Sequence, residues 1–143
     1  MTEFERAVSL VSRKITEFER AVSLVSKELG LADSDLKFAH VSFEEGNYKW
    51  ATIQAYYSMF HAGRALIYSR GYRERSHYCL NIALRTLFVE EGKFSVTLVE
   101  ALQLGKTLRE NADYYGEFSK EAAAQMIENA EELLETAKKI VNR

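Results

Sequence analysis

From Arg70 to Tyr78 the chain reads Arg-Gly-Tyr-Arg-Glu-Arg-Ser-His-Tyr, three guanidiniums and one acid ahead of a single imidazole. An imidazole can take or give a proton at neutral pH. A guanidinium offers a planar fork of donors to a phosphate, and to the charge that builds on its oxygens during reaction. Arg70 and His77 supply between them the two groups that such chemistry needs, with no metal. Arg73, Arg75, Ser76 and Tyr78 are the candidate substrate-binding residues around them. Ser76 is also a good helix N-cap, which would put His77 in a first turn. Unpaired N–H groups and the helix dipole attract phosphate at that position. From His61 to Arg85 there are five arginines and two histidines against one acid, whereas the chain beyond Glu110 is rich in acids.

Each of these residues also has a plainer reading. Arginine clusters in loops are commonly solvated faces, and a histidine at a helix start is often a cap or a surface residue. His61 lies in an apolar stripe and reads as a hydrogen-bonded core histidine. Tyr56, Tyr57 and Phe60 read as packing rather than base stacking. Arg109 and Asp113, four residues apart, read as an intrahelical ion pair, with Arg64 a candidate third member. Metal and cofactor chemistry find no pattern to rest on. The three histidines are far apart, Cys79 is the only thiol, and there is no glycine-rich phosphate loop or nucleophile elbow.

The elements that must hold these groups read as helices. The chain has 143 residues without a proline, and its seven glycines and the capping residues punctuate apolar stripes of helical period. Thr2–Ser12 reads TEFERAVSLVS and Thr16–Ser26 repeats it at an offset of 14 residues. At about 100° per residue the second copy is rotated by only about 40° from the first. Phe4, Val8, Val11, Ile15, Phe18, Val22, Val25 and Leu29 thus form one continuous heptad seam. The expected organisation is a long N-terminal helix over residues 1–29, ended by Gly30, and a helical bundle over 30–143. Within that bundle Asp33 or Ser34 caps a helix from about Asp35 to Glu45, and Asn47 opens the next, to about Arg70. Ser76 opens one to about Glu91, Ser95 or Thr97 one to about Tyr115, and Ser119 the last, Lys120 to Val141. Six helices with short links make an all-α, up-and-down bundle.

Hydrophobic residues at 47% and charged residues at 28% fit a globular chain, and no uncharged apolar run is long enough to span a membrane. With no leader pattern at the N-terminus, the expected location is the cytoplasm. A net charge of −2 gives no global basic footprint, so contact with nucleic acid must be local.

The run Ala55-Tyr56-Tyr57-Ser58-Met59-Phe60-His61-Ala62-Gly63-Arg64-Ala65-Leu66 resembles the signature helix of the UPF0332 branch of the HEPN family. Glu45-Gly46-Asn47-Tyr48 resembles the turn before that helix, and Arg70-Gly71 followed by Ser76-His77 resembles the link after it. Arg109, Asp113 and Tyr114 resemble the arginine and Asp-Tyr pair before the family's last helix. The likeness covers about Asp33 to Val141. It implies a dimeric bundle, and in many members a ribonuclease whose site forms between two protomers around an arginine, four to six residues, and a histidine. Arg70 and His77, with six residues between them, fit the longest of these spacings. The implied function is a metal-independent ribonuclease toxin, with RNA or a nucleotide as ligand and an MNT-type nucleotidyltransferase antitoxin as partner. The alternative is a non-catalytic helical protein that binds a nucleotide or a nucleotidyltransferase. Some family toxins carry a tyrosine two residues beyond the histidine, where an antitoxin adds adenylate. Here Cys79 holds that place and Tyr78 adjoins the histidine.

Overall fold

The computed structural model describes residues 18–73, 77–92 and 94–142, and leaves the side chains of 18–21 and 77–78 undescribed. Five α-helices follow in order: α1 Phe18–Glu44, α2 Tyr48–Ser69, α3 His77–Leu84, α4 Val96–Tyr114 and α5 Lys120–Val141. A π-helical turn, Arg85–Val89, continues α3. There is no strand among the described residues. The chain is all-α, as its stripes and caps predict. Asn47, Ser95 and Ser119 cap α2, α4 and α5 by accepting from the backbone N–H groups of Trp50, Thr97 and Ala122.

α2 is the central helix. It buries residues on nearly every side, among them Tyr56, Met59, Leu66 and Ile67. The other helices close round it, with Leu80 and Leu84 from α3, Val99 and Leu102 from α4, and Met126 and Leu133 from α5. α1 runs antiparallel to α2, since Ala32 O accepts from Ser58 Oγ at 2.8 Å while Ser42 meets Gln54 nearer the connecting turn. Lys138 Nζ reaches Asp33 Oδ1 at 2.8 Å and ties α5 to α1.

Several boundaries differ from the sequence reading. Gly30 does not end a helix: α1 passes through it, and the two helices expected on either side are one. Asp33 binds Lys138 instead of capping, and Ser34 stands exposed in mid-helix. A helical glycine costs about 1 kcal/mol relative to alanine. Burial of Val25, Glu28, Ala32 and Ala39 on one face of α1 outweighs that local cost. A Cβ at Gly30 would meet nothing within 4 Å, and its φ is not positive. Gly30→Ala is accordingly expected to raise stability by about 1 kcal/mol, read as a higher urea midpoint with an unchanged slope.

The second copy of the repeat supplies the start of α1, with Val25 in the core and Leu24 and Leu29 packed against it. Val22, expected on the seam, is exposed instead, because the buried face of α1 follows Val25, Glu28, Ala32 and Ala39. The first copy, Thr2–Ser12, lies outside the described residues. The helix expected to run to about Glu91 is α-helical only to Leu84, beyond which its hydrogen bonds widen into the π turn.

Candidate active site

Arg70 is the C-cap of α2, and Gly71 puts it there. Gly71 has φ +81°, a conformation in which a Cβ is strained, and its N–H donates to Tyr68 O at 3.0 Å. The Tyr72 N–H donates back to Ile67 O at 3.0 Å. This left-handed cap satisfies the last carbonyls of α2 and turns the chain sharply after Arg70. A glycine is thus required directly after the arginine.

The Arg70 guanidinium is held from the far side of α3. Its Nη2 donates to Glu91 Oε1 at 2.9 Å and its Nη1 to Glu91 Oε2 at 3.1 Å, a bidentate fork. Nη1 also reaches Leu87 O at 3.4 Å, and the group lies 5.2 Å from the Phe88 ring centroid. The π turn lies beside this contact, with Glu90 N–H donating to Arg85 O at 3.1 Å. Both members of the pair remain partly open to solvent. Nothing in the sequence spacing marks Glu91, which stands 21 residues from Arg70.

The remaining candidates are placed only in part. His77 is the first residue of α3, as expected, and its side chain lies outside the described residues. The same holds for the side chain of Tyr78 and for Arg75 and Ser76 altogether, including the expected Ser76 cap. Arg73 is exposed and lies 5.8 Å from the Tyr68 ring. Cys79 is buried. Asn81 and Thr86 are also buried, and neither Asn81 Oδ1 nor Thr86 Oγ1 has a hydrogen-bond partner among the described residues.

Two polar groups lie away from this turn. His61 Nδ1 donates to Glu28 Oε2 at 2.6 Å, and its Nε2 lies 3.7 Å from Asp35 Oδ2. It is the hydrogen-bonded interior histidine that its stripe predicts. Arg64 belongs to this group rather than to Arg109 and Asp113: its Nη1 lies 3.4 Å from Glu28 Oε1 and its Nη2 donates to the Tyr68 hydroxyl. Arg109 does pair with Asp113, at 3.4 Å, and lies within 5.7 Å of the Tyr56, Tyr57 and Tyr114 rings. Tyr56 and Phe60 are core residues, and burial pushes the Tyr56 phenol well above its usual range, opposed by the nearby Arg109 charge.

A bundle closed round a Tyr-Tyr-x-Met-Phe-His helix, with an arginine on its last turn and a histidine opening the next, defines a helical class. The HEPN domain family model matches residues 26–141, and the chain belongs to that family. It is 33% identical over 114 residues to a UPF0332 protein of Archaeoglobus fulgidus, which covers 78% of this chain and 90% of the relative. It is also 28% identical over 110 residues to a Methanocaldococcus jannaschii protein named "putative toxin", covering 76% of this chain and 82% of that one. No described helix is long and apolar enough to cross a membrane.

Proposed function

We propose that this HEPN protein is a metal-independent endoribonuclease of toxin type, acting as a homodimer through Arg70 and His77. The observation that carries the reading is the Arg70 fork. Both of its terminal nitrogens lie at a partly exposed turn in bidentate geometry with a carboxylate, the same geometry that a phosphate accepts. His77 opens the next helix, and Arg73, Arg75, Ser76 and Tyr78 are the neighbours that would hold the RNA backbone. In this mechanism His77 takes the 2′-hydroxyl proton as the 2′-oxygen bonds to the adjacent phosphorus. The P–O5′ bond breaks, and the protonated imidazole of the partner subunit's His77 gives a proton to the departing 5′-oxygen. Arg70 stabilises the charge on the phosphorane oxygens. A two-fold dimer that brings two such turns to one cleft concentrates basic charge that the acidic remainder of the chain otherwise cancels. The name of the Methanocaldococcus relative favours a toxin, for which an MNT-type nucleotidyltransferase is the fitting antitoxin.

The test is cleavage of single-stranded RNA by the purified chain. Activity is expected to persist in EDTA and to disappear in His77→Ala. Cleavage that survives in His77→Ala, or that chelation removes, sinks the mechanism.

One observation favours the second reading, a non-catalytic partner that binds a nucleotide or a nucleotidyltransferase. Glu91 already occupies the fork of Arg70 and must be displaced before a phosphate can bind there. Absence of cleavage on any RNA, together with binding of a nucleotide or of a nucleotidyltransferase, would select it.

A further inference from the structure

The turn that leaves α2 folds back on that helix. Gly71, at φ +81°, and the Tyr72 N–H, bonded to Ile67 O, reverse the chain after Arg70 and bring Arg73 against the end of α2. There the Arg73 guanidinium lies 5.8 Å from the ring centroid of Tyr68. The same ring carries a second guanidinium, that of Arg64, at 5.2 Å, whose Nη2 also donates to the Tyr68 hydroxyl. Tyr68 is 1% exposed, whereas Arg73 is exposed. One buried ring thus serves a partly buried cation and a surface one.

Two like charges beside one ring repel each other unless one of them is offset. Glu28 offsets Arg64, with Oε1 3.4 Å from Arg64 Nη1. Arg73 is then the cation that the ring presents to solvent. Stacking on an aromatic face fixes the guanidinium and leaves its N–H edge to meet a phosphate, a combination that a lysine lacks. Arg70 is supported in a similar way, 5.2 Å from the ring of Phe88, which is also 1% exposed. Both described guanidiniums of the turn therefore rest on buried rings.

We propose that Tyr68 is a positioning residue for RNA binding. Its ring, fixed by the Arg64–Glu28 pair, holds Arg73 where it takes a backbone phosphate neighbouring the one on which Arg70 and His77 act. Arg64 works through Tyr68 and touches no substrate. The phosphate assigned to Arg73 rests on the ribonuclease reading, whereas the holding of Arg73 by the ring does not.

The experiment has two arms. The first is NMR of the full chain labelled on arginine. The Arg73 Hδ resonances should lie upfield of their position in the urea-unfolded chain, because the Tyr68 ring current shields them. Tyr68→Met, which fills the space without a ring, should abolish that shift, and Tyr68→Phe should keep it. The second arm is binding of a 2′-O-methyl oligonucleotide, which cannot be cleaved, read by fluorescence anisotropy. Tyr68→Met should weaken binding by about threefold to fivefold, and Arg73→Ala by at least as much. The double variant should bind no worse than Arg73→Ala, since the ring acts only through that arginine. On cleavable RNA the Tyr68→Met loss should fall on KM with kcat unchanged, and Tyr68→Phe should restore KM. The proposal is overturned by additive losses in the double variant, or by a wild-type chain that binds the oligonucleotide without any upfield shift at Arg73. The latter outcome needs no variant to fold. A wild-type chain that shows the shift but binds no RNA overturns the ribonuclease reading instead, and with it the phosphate assigned to Arg73.

Discussion

Arg70→Ala is expected to lower the proposed RNA cleavage by about 10²-fold or more, with most of the loss in kcat, because in that mechanism the guanidinium acts on charge that appears only in the transition state. Arg70→Lys should recover little of it. A lysine keeps the charge but cannot form the two-pronged contact that Arg70 makes with Glu91 and would make with a phosphate. Glu91 gives the same experiment an opposite sign. In the free protein it neutralises Arg70, so a substrate phosphate must compete with it. An exposed pair of this kind is worth up to about 1 kcal/mol, which caps the effect of its removal near fivefold. Glu91→Gln should therefore raise kcat/KM by about fivefold at most, and mainly through KM. Initial rates on a fluorogenic oligonucleotide with EDTA present read all three variants. Undiminished cleavage in Arg70→Ala would remove Arg70 from the mechanism. A large loss in Glu91→Gln would show that the carboxylate orients the guanidinium rather than masking it.

How far the sequence discloses this site depends on the kind of contact. Caps are local, so Asn47, Ser95 and Ser119 were legible as helix starts from three or four residues of text. The turn after Arg70 was legible for the same reason, since a glycine between apolar stripes reports a left-handed backbone. The same rule failed at Gly30. There the backbone is helical, and the reason is burial along the rest of α1, which lies in tertiary packing rather than in the neighbouring residues. The π turn was hidden too, because no residue type announces the widening at Arg85–Val89. Glu91 and Glu28 are the clearest omissions. Each lies more than 20 residues from the side chain it pairs with, and an acid in an amphipathic helix looks the same whether it faces solvent or an arginine. Arg64 was grouped with Arg109 on sequence logic, yet its charge is met by Glu28 across the helix interface.

That interface carries the largest expected effect on stability. Glu28 is 4% exposed and is the common acceptor for His61 and Arg64, two donors that α2 places on successive positions of one face. Ionised, it can only accept, so the Nδ1 hydrogen of His61 points at it. Glu28→Ala removes the shared acceptor of the Arg64 guanidinium and the His61 ring and leaves a buried gap beside them. Breaking a buried pair by removing one partner costs about 3–5 kcal/mol, and the partial exposure of His61 and Arg64 puts this case near the lower end. A loss of about 3 kcal/mol corresponds to a fall in Tm of about 10 °C for a chain of this size. Asp35 sets the contrast. It is only a second neighbour of His61, at 3.7 Å, and burial pushes its carboxyl above the usual range while the His61 charge opposes that. Burial thus penalises the ionised form of Asp35 relative to the unfolded chain, and Asp35→Asn should cost less than about 1 kcal/mol. The double variant Glu28→Leu/His61→Leu removes the main pair and keeps its volume, so it should be more stable than Glu28→Ala alone, since apolar replacement of both partners is often close to neutral. Thermal and urea unfolding measure all three. If Glu28→Ala melts within a degree or two of the wild type, the acid is a bystander, and packing by Val25, Ala32 and Ala39 alone holds α1 in place.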